Sequence, residues 1–220
     1  MKADMEFVSL NARIPYRCCK CAECCRHVED SLMLEPLDVF NLTRFLMEQD
    51  ASLTGPIDVL ERYTHPAILD GYPIFQINTT GADCACVFLK NGKCSVYEAR
   101  PQVCRMYPFG TAPGDRGRDF RYYLCKEQAH HFGIGSVKVK DWLSGNLSKE
   151  TREFYKEEYK VLPEIGKAIK KIGKEGFSGI IFKILYYLYY GYDHTKPFLP
   201  QYQCNMAALL ESLSEKTEDM

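Results

Sequence analysis

The spacing of apolar and polar positions predicts short helices and strands in the first third of the chain. An amphipathic helix is predicted over residues 36–48, because apolar side chains recur there at three- and four-residue spacing: Val39, Leu42, Phe45 and Leu46. Pro36 suits the first position of that helix, where its missing N–H has no intrahelical partner. A shorter helix is predicted from Pro56 to Tyr63, and residues 31–35 are predicted as a short strand.

Short β-branched or aromatic segments predict strands in the middle of the chain, at residues 72–79, 86–89, 94–97 and 120–125. Asn91-Gly92 separates the second and third of these strands and is a strong signal for a hairpin. A turn of helix is predicted over residues 98–106 and a polar loop over residues 111–119.

The pattern becomes helical after Ser148. Pro163 permits a fresh helix start, and apolar residues and lysines then line opposite sides, with glutamates interleaved among the lysines. The segment over residues 177–190 is apolar nearly all round, which predicts burial in a core or in a homo-oligomer interface. Its longest apolar run, Gly179 to Tyr192, holds 14 residues and contains Lys183, whereas a membrane span needs about 20, so no span is expected.

Composition and charge narrow the class of protein. With 46% hydrophobic residues the chain can bury a core, and 28 Lys plus Arg against 29 Asp plus Glu leave no basic excess for nucleic-acid binding. The first residues lack the apolar stretch of a secretory signal, so a cytoplasmic location is expected. In a reducing compartment, the 11 cysteines are then expected to be metal ligands or catalytic thiols rather than disulfides.

The cysteines are concentrated in two groups, which indicates how the chain is organised. Five lie within residues 18–25, five within residues 84–125, and Cys204 stands apart. The predicted fold is α+β, with a small cysteine-rich metal-binding core of short strands and helices over residues 1–135. A mainly helical C-terminal segment over residues 136–220 is expected to pack on it.

The first group contains a C-x2-C-x2-C pattern followed by a further cysteine: Cys18, Cys21, Cys24 and Cys25. Ferredoxin loops share the triple spacing and take a fourth ligand from elsewhere, while zinc ribbons use C-x2-C pairs. His27 follows closely, and His130-His131 follows the second group, but a lone histidine is more often an ordinary surface residue than a ligand.

The second group lies on separate loops and strands, so its members can meet only through the tertiary fold. With the first group it makes eight candidate ligands, enough for one centre or two: Cys18, Cys21, Cys24, Cys25, Cys86, Cys94, Cys104 and Cys125. Cys19, Cys84 and Cys204 are interpreted as bystanders. Cationic side chains that flank the cysteines are expected to offset thiolate charge, Arg100 and Arg105 more than Arg17, Lys20, Arg26 and Lys126.

These residues resemble a known family. The first cluster, with CVFLKNGKCSVYEARPQVCRMYPF from Cys86 to Phe109, is similar to the CxxCxxCC (YkgJ-type) family of zinc- or iron-chelating domains. One branch of that family resembles flagellin lysine N-methylase, which implies methyl transfer from S-adenosylmethionine beside an iron–sulfur cluster. The helical tail lies outside the motif, and no nucleotide or S-adenosylmethionine loop is visible in the chain.

Four functions are compatible with the sequence. The leading hypothesis is a cytoplasmic protein that holds an iron–sulfur cluster, 4Fe-4S, through clustered thiolates. The alternatives are a structural zinc module that binds a protein partner, or a protein lysine N-methylase that acts on a protein substrate with S-adenosylmethionine, an enzyme assignment resting on the resemblance alone. A disulfide-rich exported protein is the weakest interpretation, because the chain shows no export signal.

Overall fold

The computed structural model describes residues 6–69, 71–114 and 120–218, and the side chains of residues 173–178 and 215–218 lie outside that description. The predicted α+β fold is confirmed, with small sheets around the cysteine-bearing part and helices in the C-terminal part. The α-helices of the described residues are α1 (Pro36–Gln49), α2 (Pro56–Tyr63), α3 (Gln102–Met106), α4 (Val139–Asn146), α5 (Lys149–Leu185) and α6 (Phe198–Glu218). Within these residues no helix has the length and apolar character to cross a membrane.

The strands are short and pair in five small antiparallel sheets among the described residues. They are β1 (Glu6–Val8), β2 (Arg13–Tyr16), β3 (Met33–Leu34), β4 (Thr64–Leu69), β5 (Tyr72–Ile77), β6 (Thr79–Thr80), β7 (Ala85–Cys86), β8 (Leu89–Lys90), β9 (Lys93–Cys94), β10 (Phe109–Pro113), β11 (Phe120–Leu124) and β12 (Phe132–Lys138). The strand orders are β1-β11-β10, β12-β2, β3-β5-β4, β6-β7 and β8-β9.

The chain divides into two compact units, and each is made of two separate stretches of sequence. The first unit comprises residues 1–29 and 79–152, and the second comprises residues 30–78 and 153–220. The sequence places a domain boundary near residue 135, from the positions of the cysteines, and this differs from the division into two compact units. Whether the chain folds as independent domains divided near residue 135 stays a prediction.

Helix α1 begins where the sequence predicts, for reasons visible in its first turn. Pro36 occupies the first position, and a capping box joins Glu35 and Asp38: the Glu35 backbone N–H donates to Asp38 Oδ2 at 3.3 Å. These contacts satisfy N–H groups that the helix itself leaves without a partner. The predicted helix over residues 56–63 is likewise present as α2.

The hairpin predicted at Asn91-Gly92 is confirmed. Leu89 pairs with Cys94 in the β8–β9 ladder, and Asn91 and Gly92 both have positive φ, 51° and 73°. A two-residue turn with positive φ at both positions matches the twist of the strands it joins. This turn fixes Cys94 opposite Leu89 and so sets the position of one predicted ligand.

The loop predicted over residues 111–119 is corrected in its first part. Residues 111–113 belong to β10, which pairs with β11, and Thr111 lies opposite Tyr122 in that ladder. The remaining residues 115–119 lie outside the described part of the chain. Pairing with β11 explains the difference, because a Thr-Ala-Pro segment has weak strand character until a partner strand takes its backbone hydrogen bonds.

The prediction of a fresh helix start at Pro163 is wrong, because α5 runs through this proline from Lys149 to Leu185. A proline inside a helix costs about 3 kcal/mol, since it removes a hydrogen bond and crowds the preceding turn. Burial along one face of the helix offsets that cost: Phe154, Ile165 and Ile172 are each no more than 3% exposed. The apolar stripe continues across Pro163, so packing outweighs the local penalty.

The sequence predicts burial of residues 177–190 nearly all round. Among those residues whose side chains are described, one face of the helix is buried and other positions are exposed. Ile180, Ile184 and Leu188 are buried, whereas Phe182 is 78% exposed and Tyr186 is 54% exposed. The helix ends in a π-helical turn over Tyr186–Tyr190. Homo-oligomer formation through the exposed face stays a prediction.

The second unit buries carboxylates next to one another. Asp38 and Glu158 are each 6% exposed. Burial raises the pKa of Glu158 to about 8, and the Asp38 charge adds to the shift. Burial also raises the pKa of Glu35 well above its usual value, helped by the charges of Glu158 and Asp38 and opposed by a hydrogen bond from Tyr155. Glu35 and Glu158 are therefore held in part as neutral carboxylic acids.

We expect the stability of this unit to fall as the pH rises. The folded pKa of Glu158, about 8, lies above its ordinary value of 4.5, so the folded state binds the extra proton between these two pH values. The free energy of unfolding then falls by up to about 1.4 kcal/mol per pH unit for each such group, and levels off above pH 8. Denaturant unfolding followed by circular dichroism from pH 5 to 8.5 measures this slope.

Glu158→Gln should flatten the slope and raise stability at pH 8, because glutamine fills similar space without ionising. Glu164→Gln is the matched control on the same helix: Glu164 is exposed and pairs with Lys167 at 2.7 Å. Equal slopes in both variants and the parent chain would show that Glu158 is not the titrating group.

Candidate metal centre

Strand pairing in the first unit brings together two segments that are far apart in sequence. β2 and β12 are antiparallel, with Tyr16 opposite Phe132, and the Arg17 backbone N–H donates to the His131 carbonyl oxygen at 3.0 Å. The loop that follows β2 therefore starts beside the 3-10 turn Ala129–His131 that precedes β12. Two cysteines of the loop and two histidines of the turn then meet at one point.

The loop reaches this point through two left-handed residues. Lys20 has φ 55° and Ala22 has φ 64°, conformations that cost a residue with a side chain about 1 kcal/mol or more. They lie on either side of Cys21. Local strain of this kind persists where the surrounding structure requires it.

Four donor atoms converge here: the Sγ atoms of Cys19 and Cys21 and one ring nitrogen each of His130 and His131. All four atoms lie within 4.8 Å of one another. Among the described residues, this is the one group of three or more Cys, His, Asp or Glu side chains whose donor atoms are spaced closely enough to hold a metal ion. Cys21 Sγ is 3.3 Å from His130 Nε2 and 3.2 Å from His131 Nε2. We refer to these four residues as the Cys/His cluster.

The donor chemistry of the Cys/His cluster fits a zinc ion. Two thiolates and two imidazoles are an established tetrahedral zinc set, with Zn–S near 2.3 Å and Zn–N near 2.0–2.1 Å. Tetrahedral angles with those lengths give a sulfur–nitrogen separation of about 3.6 Å, close to the two distances observed at Cys21. The same two contacts can also be thiol–imidazole hydrogen bonds in the metal-free chain.

His131 is the buried member of the cluster, at 1% exposed. Its ring packs edge-on against Tyr16 and Tyr107, with ring centroids 5.9 Å apart in both pairs. Burial lowers the pKa of His131, and the charge of His130 lowers it further, so the ring is neutral near pH 7 and its lone pair is free to bind a metal. Its Nδ1 finds no hydrogen-bond partner among the described residues, which leaves Nε2 as the ligand atom.

The cluster includes residues that sequence reasoning did not favour. The sequence interprets Cys19 as a bystander and gives the adjacent histidines little weight, because a lone histidine is more often an ordinary surface residue. The 3-10 turn brings the two histidines together, since it holds their rings tilted at 54° with centroids 4.2 Å apart. The available signal was the Cys-x-Cys spacing at 19–21 with a histidine pair just after Cys125.

Three of the predicted ligands form a second group, separate from the Cys/His cluster. Cys24, Cys86 and Cys94 act on one another electrostatically: burial raises the pKa of the Cys86 thiol, and the charges of Cys94 and Cys24 raise it further. Cys24 is also hydrogen-bonded to Cys25, which is the main reason its pKa is raised. We call Cys24, Cys86 and Cys94 the thiol group.

Three other predicted ligands have neighbours outside the thiol group. Cys18 shares a side-chain hydrogen bond with Tyr16. Burial raises the pKa of Cys125, and the charge of Glu127 adds to that shift. Cys104 lies in α3 and its backbone N–H donates to the Pro101 carbonyl oxygen at 3.0 Å. The assignment of all eight cysteines as ligands stays a prediction.

Among the flanking cations, Arg100 lies where it can act on the thiol group. Its guanidinium lowers the pKa of Cys94 and of Cys24, against the effect of burial, and stacks on the Tyr97 ring at 3.9 Å. Arg105 instead donates to backbone carbonyl oxygens, one of them that of Arg100 at 3.1 Å.

Two other flanking cations pair with carboxylates. Arg26 pairs with Asp83, and Lys126 pairs with Glu6 at 2.5 Å. Their charges are offset by acids, which makes them weaker partners for thiolates than Arg100.

Comparison with known families adds a decisive match. Residues 17–127 match the family model CxxCxxCC, described as "Putative zinc- or iron-chelating domain", over just over half of the chain. The chain belongs to the CxxCxxCC family. The CxxCxxCC match ends before His130 and His131, so half of the donors in the Cys/His cluster lie beyond the part that the family model describes.

Among curated proteins, the chain is similar to "Uncharacterized protein MJ0661" of Methanocaldococcus jannaschii, with 31% identity over 99 residues. The aligned segment covers 44% of this chain and 47% of that relative, so the chain spans about half of the relative's length. No solved structure was found to match.

We expect Arg100→Gln to slow alkylation of Cys94 in the metal-free protein. Without the guanidinium the Cys94 pKa rises, so a smaller fraction of this thiol is ionised at a fixed pH. Iodoacetamide labelling followed by mass spectrometry measures the rate at this residue. Lys126→Gln removes a cation that pairs with Glu6 and should leave the rate unchanged; equal slowing by both would point to a general loss of positive charge.

Proposed function

We propose that this protein binds zinc through Cys19, Cys21, His130 and His131. The observation that carries the proposal is the convergence of four donor atoms within 4.8 Å from two segments of the first unit. The family match to a zinc- or iron-chelating domain supports metal binding as the general function.

Zinc suits this donor set better than an iron–sulfur cluster. Clusters of the 4Fe-4S type are held by cysteine thiolates, whereas two thiolates with two imidazoles form a common four-coordinate zinc set. A bound Zn²⁺ would supply positive charge that stabilises two thiolates. The chain's own contribution is to hold His131 neutral by burial and to donate the Glu23 backbone N–H to Cys21 Sγ, which opposes the rise in the Cys21 pKa that desolvation causes.

Zinc at this point would also join β2 to β12 beyond their hydrogen bonds. The loop after β2 and the turn before β12 are joined by the hydrogen bond from the Arg17 N–H to His131, and a metal held by the four donors would join them a second time. Such a metal would close a long loop of chain. Because donors and fold are linked, binding free energy contributes to folding free energy.

The thiol group favours a second candidate function, a thiolate-held metal or iron–sulfur centre. Cys24, Cys86 and Cys94 are mutually close enough to perturb one another's ionisation, and Arg100 lies where it offsets thiolate charge. A 4Fe-4S cluster needs a fourth ligand, and the predicted ligands of this unit that remain are Cys18, Cys25, Cys104 and Cys125.

Methyl transfer from S-adenosylmethionine to a protein stays a prediction from the family resemblance alone. A protein partner likewise stays a prediction.

The zinc proposal is tested by metal content and by cobalt substitution. We expect one zinc per chain assigned to the Cys/His cluster, and visible absorption of tetrahedral Co²⁺ with sulfur-to-cobalt charge transfer. Cys21→Ser and His131→Ala should each lose that metal, because each removes a donor that no neighbouring group replaces.

Cys204→Ser is the control for cysteine loss, since Cys204 is an exposed thiol on α6, in the other unit. It should retain full metal content and the cobalt spectrum. A parent chain that binds no zinc or cobalt at the Cys/His cluster, or a His131→Ala variant with an unchanged spectrum, would refute the assignment.

The second candidate is tested by anaerobic purification. Brown colour with iron and sulfide in equal amounts, lost in Cys94→Ser and kept in Cys21→Ser, would place an iron–sulfur cluster at the thiol group. A colourless protein with more than one zinc per chain would instead indicate that the thiol group binds zinc.

A further inference from the structure

The donors of the Cys/His cluster are exposed, with one exception. Cys19, Cys21 and His130 are exposed to solvent, and His131 is buried. A ligand atom from another molecule can therefore approach the metal position from the side of these three residues. An apolar shell around a metal site excludes competing ligands. Where the donors are exposed, a competing ligand can reach the metal, and this determines how the metal leaves the site.

The exposed donors are also weakly anchored by the backbone. Among the described residues no backbone hydrogen bond is made by the N–H groups of residues 18–21, although the N–H of Arg17 before them and that of Cys25 after them are both bonded. Lys20 and Ala22 hold left-handed conformations, which are strained for residues with a side chain. Cys19 and Cys21 lie outside the strands and helices, so moving them away from the metal breaks the hydrogen bond from the Glu23 N–H to Cys21 Sγ but no strand or helix.

His131 has the opposite character. Its ring is enclosed by Tyr16 and Tyr107, and its carbonyl oxygen accepts the Arg17 N–H at 3.0 Å. The cluster therefore combines one fixed donor with three donors that are open to solvent. A zinc site protected from competing ligands would have all four donors shielded from solvent.

We propose that the Cys/His cluster is a zinc exchange site, which passes its Zn²⁺ directly to an acceptor protein that presents thiolate or imidazole ligands. This inference rests on the proposed zinc site. The acceptor attacks on the side of Cys19, Cys21 and His130, and His131 holds the metal until the last step.

Each step exchanges one ligand for another. A bond from Zn²⁺ to a donor of the cluster breaks as a bond to an acceptor donor forms, so the coordination number is kept. Protons released by the acceptor's thiols are taken up by the Cys19 and Cys21 thiolates as they leave the metal, and the two histidines leave as neutral imidazoles. No oxidation or reduction takes place.

The test is zinc transfer from the full-length, zinc-loaded protein to a metal-free Cys2His2 zinc-finger peptide. Folding of the peptide when it receives zinc gives a circular-dichroism signal that does not depend on any enzymatic activity. For direct exchange, the rate of the fast phase should rise in proportion to peptide concentration. That phase should be absent from Cys21→Ser, which identifies it with the Cys/His cluster rather than with the thiol group.

His130→Ala is the variant that separates exchange from simple binding. It removes an exposed donor and keeps the buried one, so we expect weaker zinc binding than in the parent chain and, from the zinc-loaded fraction, transfer at least about tenfold faster in the presence of acceptor. His27→Ala is the matched control, because His27 is an exposed histidine outside the cluster. Its transfer rate should equal that of the parent chain.

The outcomes distinguish the exchange proposal from the zinc proposal. A loaded site whose release rate is independent of peptide concentration, and equally slow in His130→Ala, would overturn exchange and leave a closed structural zinc site. Absence of zinc from the parent chain, with the peptide folding only on added zinc, would overturn both.

Discussion

The antiparallel pairing of β2 with β12 is the interaction on which the candidate metal centre depends. It places Tyr16 opposite Phe132 and joins Arg17 to His131 through a backbone hydrogen bond. Cys21 and His130 are 109 residues apart in the chain, and this ladder brings them within 3.3 Å. The pairing also buries the Tyr16 ring against His131, so one contact fixes the position of the histidine and removes it from water.

The two units of the chain concentrate different kinds of acidic group, and each kind has its own consequence. In the first unit the groups are thiols, which become good ligands when a metal replaces their protons. In the second they are carboxylates, and burial of Glu158 with Asp38 favours retention of a proton. In both units the neutral or metal-bound form of these groups is more stable than the free anion. Both units therefore make the protein sensitive to pH.

The two thiol-bearing sites also differ from each other in accessibility. In the thiol group Cys86 is buried, Cys94 is partly buried and Cys24 is exposed, whereas Cys19 and Cys21 are both exposed. A buried thiolate is stabilised by a fixed cation, and Arg100 lies where it can do this. An exposed thiolate is hydrated and open to competing ligands. Two sites within one unit can thus have different exchange rates, although both use cysteine.

Local sequence patterns were sufficient to predict the helices and hairpins that depend on interactions between residues close together in the chain. Helix α1 followed from its apolar spacing and first-turn proline, and the β8–β9 hairpin from Asn91-Gly92, whose positive φ values need no distant contact. Pro163 shows the limit of such reasoning. Its penalty is local, but the burial of Phe154 and Ile165 that offsets it depends on packing that sequence spacing does not reveal.

The sequence by itself determined the family, the α+β class and the kind of chemistry, because motif spacing, periodicity and cysteine content are properties of the chain alone. Only the tertiary structure decided which donors meet. Cys19 joined the candidate site and His130-His131 brought ring nitrogens to it, while Cys24, Cys86 and Cys94 act electrostatically on one another instead. The physical reason is that ligand convergence depends on strand register and on the left-handed turn at residues 20–22, and neither is encoded in cysteine spacing.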